Sequence, residues 1–185
     1  MELKEIYQGL VNHALTGVMM HTELAQYFDF LNLHGYKKMS TYHAKMEMAN
    51  LNKMKAYYLN HYNRLIKEQY EDPNVIPEGW FEHVRQDVDI NTKRQAVRDG
   101  FTKWRDWERD TKKYYSDMYK ELCEIGEVAS AMKISECVEC VDKELKWVER
   151  KLLELQAADY SMEFIMDEQQ FYHQFYKKKM SEKCL

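Results

Sequence analysis

Residues 69–91 read QYEDPNVIPEGWFEHVRQDVDIN and contain both prolines of the chain, Pro73 and Pro77. Proline is excluded from helix interiors because it lacks an amide proton and clashes with the preceding turn. The segment also holds two turn sequences, EDPN and IPEG, and it is long for a simple connection. We interpret it as a crossover, for which Trp80 and Phe81 are the expected apolar anchors.

The sequence on each side of this crossover has the apolar repeat of amphipathic helices, with steps of three and four residues. The clearest seam belongs to the third helix and consists of Phe101, Trp104, Glu108, Thr111, Tyr115, Met118, Leu122 and Ile125. The repeat predicts helices at about 3–33 and 37–68, a third capped by Asn91 or Thr92 and ending near 125, a fourth after Gly126, and a shorter fifth at about 160–181.

Two glycines mark the short turns between these helices. Gly35 is expected to end the first helix, because glycine enters the left-handed conformation without strain. Gly126 marks the turn between the third and fourth helices. Two hairpins with tight turns are thus joined by one long crossover, whereas a simple up-and-down bundle would have tight turns throughout. The predicted fold class is all-α, with residues 1–185 forming a single domain.

The composition restricts the function. The chain has 27 basic and 31 acidic residues, and its net charge of -4 gives no reason to expect nucleic acid as a partner. The first residues, MELKE, do not resemble a signal peptide, and no apolar run approaches the roughly 18 residues that span a bilayer. The 4 cysteines do not suggest a disulfide framework in a chain of this size. We therefore expect a cytoplasmic protein without a membrane partner.

Polar side chains of ligand type fall on faces that the helical repeat predicts to be buried. An unpaired buried charge is costly, so each of them needs an explanation. Glu108 lies between Trp104 and Thr111 in the third seam, and Glu144 lies between two valines of the fourth. The candidate ligands on the four long helices are His13, His43, Glu47, Glu108 and Glu144.

Two interpretations of these residues remain open. One is a metal site at the bundle centre, where carboxylates and imidazoles would bind iron, manganese or zinc. The other is a metal-free polar network, in which some of the 14 tyrosines donate hydrogen bonds to the carboxylates.

Other motifs give weaker signals. Cys137 and Cys140 have C-x-x-C spacing, but a zinc ribbon needs a second pair of cysteines, so a structural role is favoured. Glu23 falls on the flank of the first helix, which favours a solvated position for His21 and Glu23. Aromatic residues expected at the surface would suit self-association into a homo-oligomer; they are Tyr58, Tyr62, Trp80, Tyr160 and Tyr172.

Several short motifs resemble the ferritin-like superfamily of ferritins, bacterioferritins and rubrerythrins. Tyr27-Phe28 and the sequence LHGY at 33–36 are similar to the end of the first ferritin helix and its turn. In this register the sequence EMAN, which starts at Glu47, falls over the E-x-x-H motif of the second helix. Trp107-Glu108 resembles the Leu-Glu pair of the third helix, and ELKW, which starts at Glu144, falls over the second E-x-x-H motif.

The resemblance implies a di-iron site, but the ligand set is incomplete. The family has a carboxylate on each helix and a histidine on the second and fourth, and this chain has Ala14 at the first carboxylate position. Asn50 and Trp147 stand at the two histidine positions, and an indole offers no lone pair to a metal. We therefore expect a degenerate di-iron site, in which His13 and His43 rebuild a metal site with the three glutamates.

The predicted fold is thus a ferritin-like four-helix bundle with a short C-terminal helix. The predicted function is binding of iron, or of manganese or zinc, at the rebuilt carboxylate/histidine site. The alternative is a metal-free scaffold or protein-interaction bundle. The sequence does not decide whether the protein is an enzyme and identifies no catalytic residue.

Overall fold

The computed structural model describes residues 2–182, without the side chains of Asp87, Ser181 and Glu182. Its helices are α1 (Leu3–Phe30), α2 (His34–Tyr62), α3 (Ile90–Glu124), α4 (Val128–Ala157) and α5 (Met162–Glu182), with two short 3-10 helices at Glu78–Glu82 and Arg85–Asp87. The described residues contain no strand, which confirms the predicted all-α class. Among residues 2–182, no helix has both the length and the apolar character that crossing a bilayer requires.

The connection between α2 and α3 runs along α1 in the same direction as that helix. Near the start of α1, the Asn12 side chain accepts a hydrogen bond from the amide of Gln69 (3.1 Å). Further along, the Glu23 carboxylate accepts one from the amide of Val75 (3.1 Å). The connection therefore crosses the full length of the bundle, as predicted, and α3 begins at the same end as α2.

The contacts between α1 and α3 confirm this direction. A Cβ atom added at Gly100 near the start of α3 would meet Leu24 near the end of α1, at 3.1 Å. Seven residues later on α3, Trp107 lies against Gly17, seven residues earlier on α1. The two helices are therefore antiparallel, so α2 and α3 run in the same direction and α1 and α3 in opposite ones.

The buried apolar residues described here form two clusters. One cluster lies at the end of the bundle that contains the α1–α2 turn and includes Leu24 and Phe101. The other lies toward the opposite end and includes Leu10 and Leu122. The polar residues of ligand type occupy the level between the two clusters.

Several element ends differ from the prediction. The α1–α2 turn uses Asn32, with a φ of 61°, and not Gly35, which lies inside α2. Asparagine adopts this left-handed conformation more readily than most residues. In the same way α2 ends at Asn63, with a φ of 53°, well before residue 68. The cap of α3 is Asp89, whose side chain accepts a hydrogen bond from the amide of Thr92 (2.7 Å).

Gly35 has a different role from the predicted one. Its amide donates a hydrogen bond to the Gln169 side chain (2.9 Å), and a Cβ atom at this position would lie 1.6 Å from the backbone oxygen of Gln169. The absence of a side chain therefore lets α5 lie directly on α2. The helices then run in parallel, with ring contacts from Tyr36 to Tyr172 (6.1 Å) and from Tyr42 to Tyr176 (5.2 Å).

The predictions for exposed aromatic residues need correction. Tyr58 and Tyr172 belong to the core, with 1% and 8% of their surfaces exposed. Trp80 anchors the crossover against Tyr27, with ring centroids 5.1 Å apart, but Phe81 is 71% exposed and anchors nothing. Tyr58 is buried against Tyr7 of α1 (4.8 Å), and Tyr172 is buried where α5 packs on Tyr36 and Trp147.

We predict that Gly35→Ala destabilises the protein, although alanine is the better helix former. The new methyl group would displace the α5 backbone, and overpacking of this kind costs about 2–3 kcal/mol. Urea unfolding would measure the difference. Gly79→Ala is the control, because a Cβ atom there has open space around it. Equal stability of the Gly35→Ala protein and the wild type would show that α5 does not pack against Gly35.

Candidate metal centre

Glu108 on α3 lies at the centre of the polar level and is 2% exposed. Its carboxylate accepts a hydrogen bond from the indole nitrogen of Trp104 (2.9 Å), one helical turn earlier. On the facing helix α1, His21 Nε2 lies 3.7 Å from Glu108 Oε1, which is too far for a hydrogen bond. A buried carboxylate thus has one neutral donor and a neighbouring imidazole.

His21 is fully buried, and neither of its ring nitrogens has a hydrogen-bond partner among the described residues. Burial, and then the nearby His43, hold the pKa of His21 well below its ordinary value. The ring is therefore neutral and carries a free lone pair. The His43 ring on α2 lies 5.4 Å away, centroid to centroid, and its Nδ1 atom is also buried without a hydrogen bond.

Glu144 on α4 completes a group of three potential ligands. Its Oε2 atom lies 3.6 Å from His43 Nδ1. One ligand atom each from His21, His43 and Glu144 lies within 4.8 Å of the others. Ligands of a tetrahedral ion at about 2.1 Å are about 3.4 Å apart, so the most distant of these atoms need to approach by up to about 1.4 Å to share one metal.

Two more carboxyl groups, those of Glu47 and Glu108, lie close enough to Glu144 for its charge to raise their pKa values. Glu47 lies one turn after His43 on α2, and burial, followed by the charge of Glu144, raises its pKa to about 8. Burial also raises the pKa of Glu108 well above its ordinary value, with further contributions from Glu144 and Glu47. Three carboxyl groups so close together need either protons or a cation.

The structure brings four of the five predicted ligands to this cluster: His43, Glu47, Glu108 and Glu144. The fifth, His13, lies two turns from His21, about 12 Å along α1 at the standard helical rise. Its Nε2 atom is 2.9 Å from the Thr111 hydroxyl, and its ring lies between Trp107 (4.7 Å) and Tyr114 (4.4 Å). His13 therefore belongs to an aromatic contact between α1 and α3.

His21 was expected in solvent, and the structure corrects that expectation. His21 lies four residues after Gly17 and three before Leu24. Steps of three and four residues are the same pattern that predicted Gly17 and Leu24 to lie on the buried face of α1. Met20 and His21 are both fully buried, because α1 packs against α2, α3 and the crossover at once. Glu23 also has a structural role, since it holds the crossover at Val75.

Trp147, at the position where the ferritin-like pattern has a histidine, forms one wall of the cluster. Its ring stacks on His43 with centroids 6.2 Å apart, and it also packs on Trp104 at 5.3 Å. The indoles of Trp104 and Trp147 enclose His43 on two sides. Trp147 thus puts apolar surface where the pattern has a ligand, and both indoles shield the His43 ring from water.

Three solved structures share this architecture. A bacterioferritin of Rhodobacter capsulatus, solved with a metal-free dinuclear site and with haem iron, matches with a TM-score of 0.68 and 17% identity. The match covers 83% of this chain and 85% of the bacterioferritin chain. A variant of PmFTN soaked in iron for 3 h matches with a TM-score of 0.72 and 12% identity, over 90% and 96%. The same variant soaked for 45 min has a TM-score of 0.71. The chain has the ferritin-like fold.

The identity to those structures is only 12–17%, so the likeness establishes the fold alone. No protein-family model and no curated protein sequence matches the chain.

We predict that Glu47→Gln reduces the pH dependence of stability in the metal-free protein. Burial raises the pKa of Glu47 from 4.5 to about 8, so its stabilising contribution is fully present below pH 4.5 and is lost as the pH rises through about 8. Between these values, the free energy of unfolding of the wild type should fall more steeply than that of the variant. Urea unfolding of chelator-treated protein at several pH values would show the difference.

The matched control is Glu139→Gln, at an exposed position of α4. It should keep the wild-type slope. Identical slopes for the wild type and Glu47→Gln would contradict the proposed environment of Glu47.

Proposed function

We propose that this ferritin-like protein binds one divalent metal ion, iron above all, between His21, His43 and Glu144. The observation that supports the proposal is a set of three buried imidazole nitrogens, both of His21 and Nδ1 of His43, that have no hydrogen-bond partner among the described residues. A buried polar atom without a partner costs about 1–3 kcal/mol, and coordination to a metal removes that cost. Glu108 and Glu47 lie close enough to add a fourth ligand or to balance the charge.

The type of ligand favours iron over magnesium or calcium. Two histidines and one carboxylate, with positions left open, are typical of non-haem ferrous sites. Imidazole also binds zinc, and carboxylates bind manganese, so both remain alternatives to iron. A ferrous ion bound in such a site would supply open positions for an external ligand or for oxygen.

The residues around the cluster have separate tasks. Trp104 fixes the Glu108 carboxylate through its hydrogen bond, and Trp147 holds the His43 ring by stacking. Burial raises the pKa of Glu47 to about 8 and that of Glu108 in the same direction, so a bound cation has to displace the proton of Glu47 at neutral pH. Metal affinity should therefore rise with pH up to about 8, where Glu47 loses its proton.

A metal-free scaffold is the alternative, and one observation favours it. The Trp104 indole already satisfies one oxygen of Glu108, and protonation would remove the remaining charge. Such a protein would be indifferent to chelators. Assembly into a homo-oligomer remains a prediction under either function.

We predict that the purified protein retains close to one ferrous ion per chain after anaerobic loading and desalting, measured by elemental analysis. His21→Gln should reduce the affinity by at least about tenfold, because it removes one of the two imidazole ligands. Zinc titration by calorimetry would give the affinities of both proteins.

His13→Gln is the control, since it makes the same change on the same helix outside the cluster. It should leave the metal content unchanged. Retention of metal by His21→Gln and its loss in His13→Gln would contradict the assignment, and no metal in the wild type would favour the scaffold.

A further inference from the structure

The groove between α2 and α4 is covered by α5 on one side of the cluster only. On that side, the Tyr176 ring lies 6.4 Å from His43, and the Tyr172 ring lies 6.3 Å from Trp147. On the other side the groove is open and forms a chamber of about 380 Å³. The chamber reaches Glu144, so it connects the cluster with the surface.

The walls of this chamber are mainly apolar and aromatic. They include Tyr57, Met54, Tyr115, Ile134 and Val141. A volume of this size is at the lower end of the range for small-molecule sites, which are typically apolar with a few polar groups that fix orientation.

The two ends of the chamber carry opposite charge. Lys53, Lys133 and Glu136 line the exposed end, where Lys133 pairs with Glu136 (3.1 Å), so the net positive charge of this end lies on Lys53. Glu47 and Glu144 lie at the inner end, beside the cluster. A route for a hydrated metal cation would carry a net negative charge at its entrance, whereas the net positive charge of Lys53 attracts an anion.

We propose that the chamber binds a small organic carboxylate with an apolar alkyl or aryl body. The carboxylate lies at Lys53, the body packs between Tyr57, Tyr115 and Ile134, and the far end points at Glu144. The reverse orientation would place the ligand carboxylate against Glu47 and Glu144. The proposal that the carboxylate ligand binds depends only on the chamber. The further proposal that this ligand is the organic substrate of the metal site rests on the proposed function.

Calorimetric titration with decanoate and 4-phenylbutanoate tests the binding. Metal-free protein should bind at least one of them with a stoichiometry of one per chain. Lys53→Glu should weaken binding by about tenfold, because it reverses a charge at the ligand carboxylate. Lys143→Glu makes the same change at an exposed position of α4 outside the chamber and should keep the affinity within about twofold. Binding of neither probe, or an equal loss in both variants, would overturn the proposal.

The cysteines provide a second test in the unmodified protein. Cys140 is exposed and lines the chamber, whereas Cys123 is exposed on α3 outside it. A saturating probe should slow alkylation of Cys140 by N-ethylmaleimide about fivefold or more, because the bound ligand fills the chamber, and leave Cys123 unaffected. Peptide mass spectrometry resolves the two sites. Equal rates at Cys140 with and without the probe would overturn the proposal.

Running both tests with and without zinc separates the two hypotheses. Probe binding without any metal binding would leave the chamber assignment in place and remove the proposed function. Metal binding without probe binding would do the reverse.

Discussion

The desolvation of Glu108 constrains the arrangement around it. Its carboxyl group is 2% exposed and accepts a hydrogen bond from one indole, so its charge must be neutralised. Two further carboxyl groups lie near it. Protons and a divalent cation compete for that task. The imidazole of His21, kept neutral by the same burial, favours the cation because a lone pair without a hydrogen bond is already available. The indoles of Trp104 and Trp147 contribute to this desolvation by shielding the cluster from water.

The crossover makes this cluster possible. By following α1 from Asn12 to Tyr27, it returns the chain to the end where α2 begins, so α3 descends antiparallel to α1. In this arrangement Glu108 on α3 lies at the level of His21 on α1, 3.7 Å away. The cluster then separates two apolar cores, and α5 closes one side of it by packing on Gly35. The open side is the chamber, so the packing of α5 on one side determines from which side solvent reaches the cluster.

The sequence predicts the helices and the crossover because proline and apolar spacing are local signals. It also predicts His43, Glu47, Glu108 and Glu144 as inward groups, since each occupies or borders a clear seam. It fails at His21, because α1 is buried on so wide a face that spacing alone does not single out one stripe. It fails at Gly35 as well, since the contact with α5 joins residues 134 positions apart. Long-range packing of this kind leaves no periodic pattern in the sequence.

The most direct test of a metal centre is an anomalous difference map from crystals grown anaerobically with ferrous iron and measured on both sides of the iron absorption edge. A metal ion held by this cluster should give one strong peak about 2.0–2.2 Å from nitrogens of His21 and His43 and an oxygen of Glu144. A map with no peak between these residues, or with peaks only at surface carboxylates, would contradict the proposed metal site. In that case the buried carboxyl groups would be neutralised by protons, and the bundle would be a metal-free scaffold.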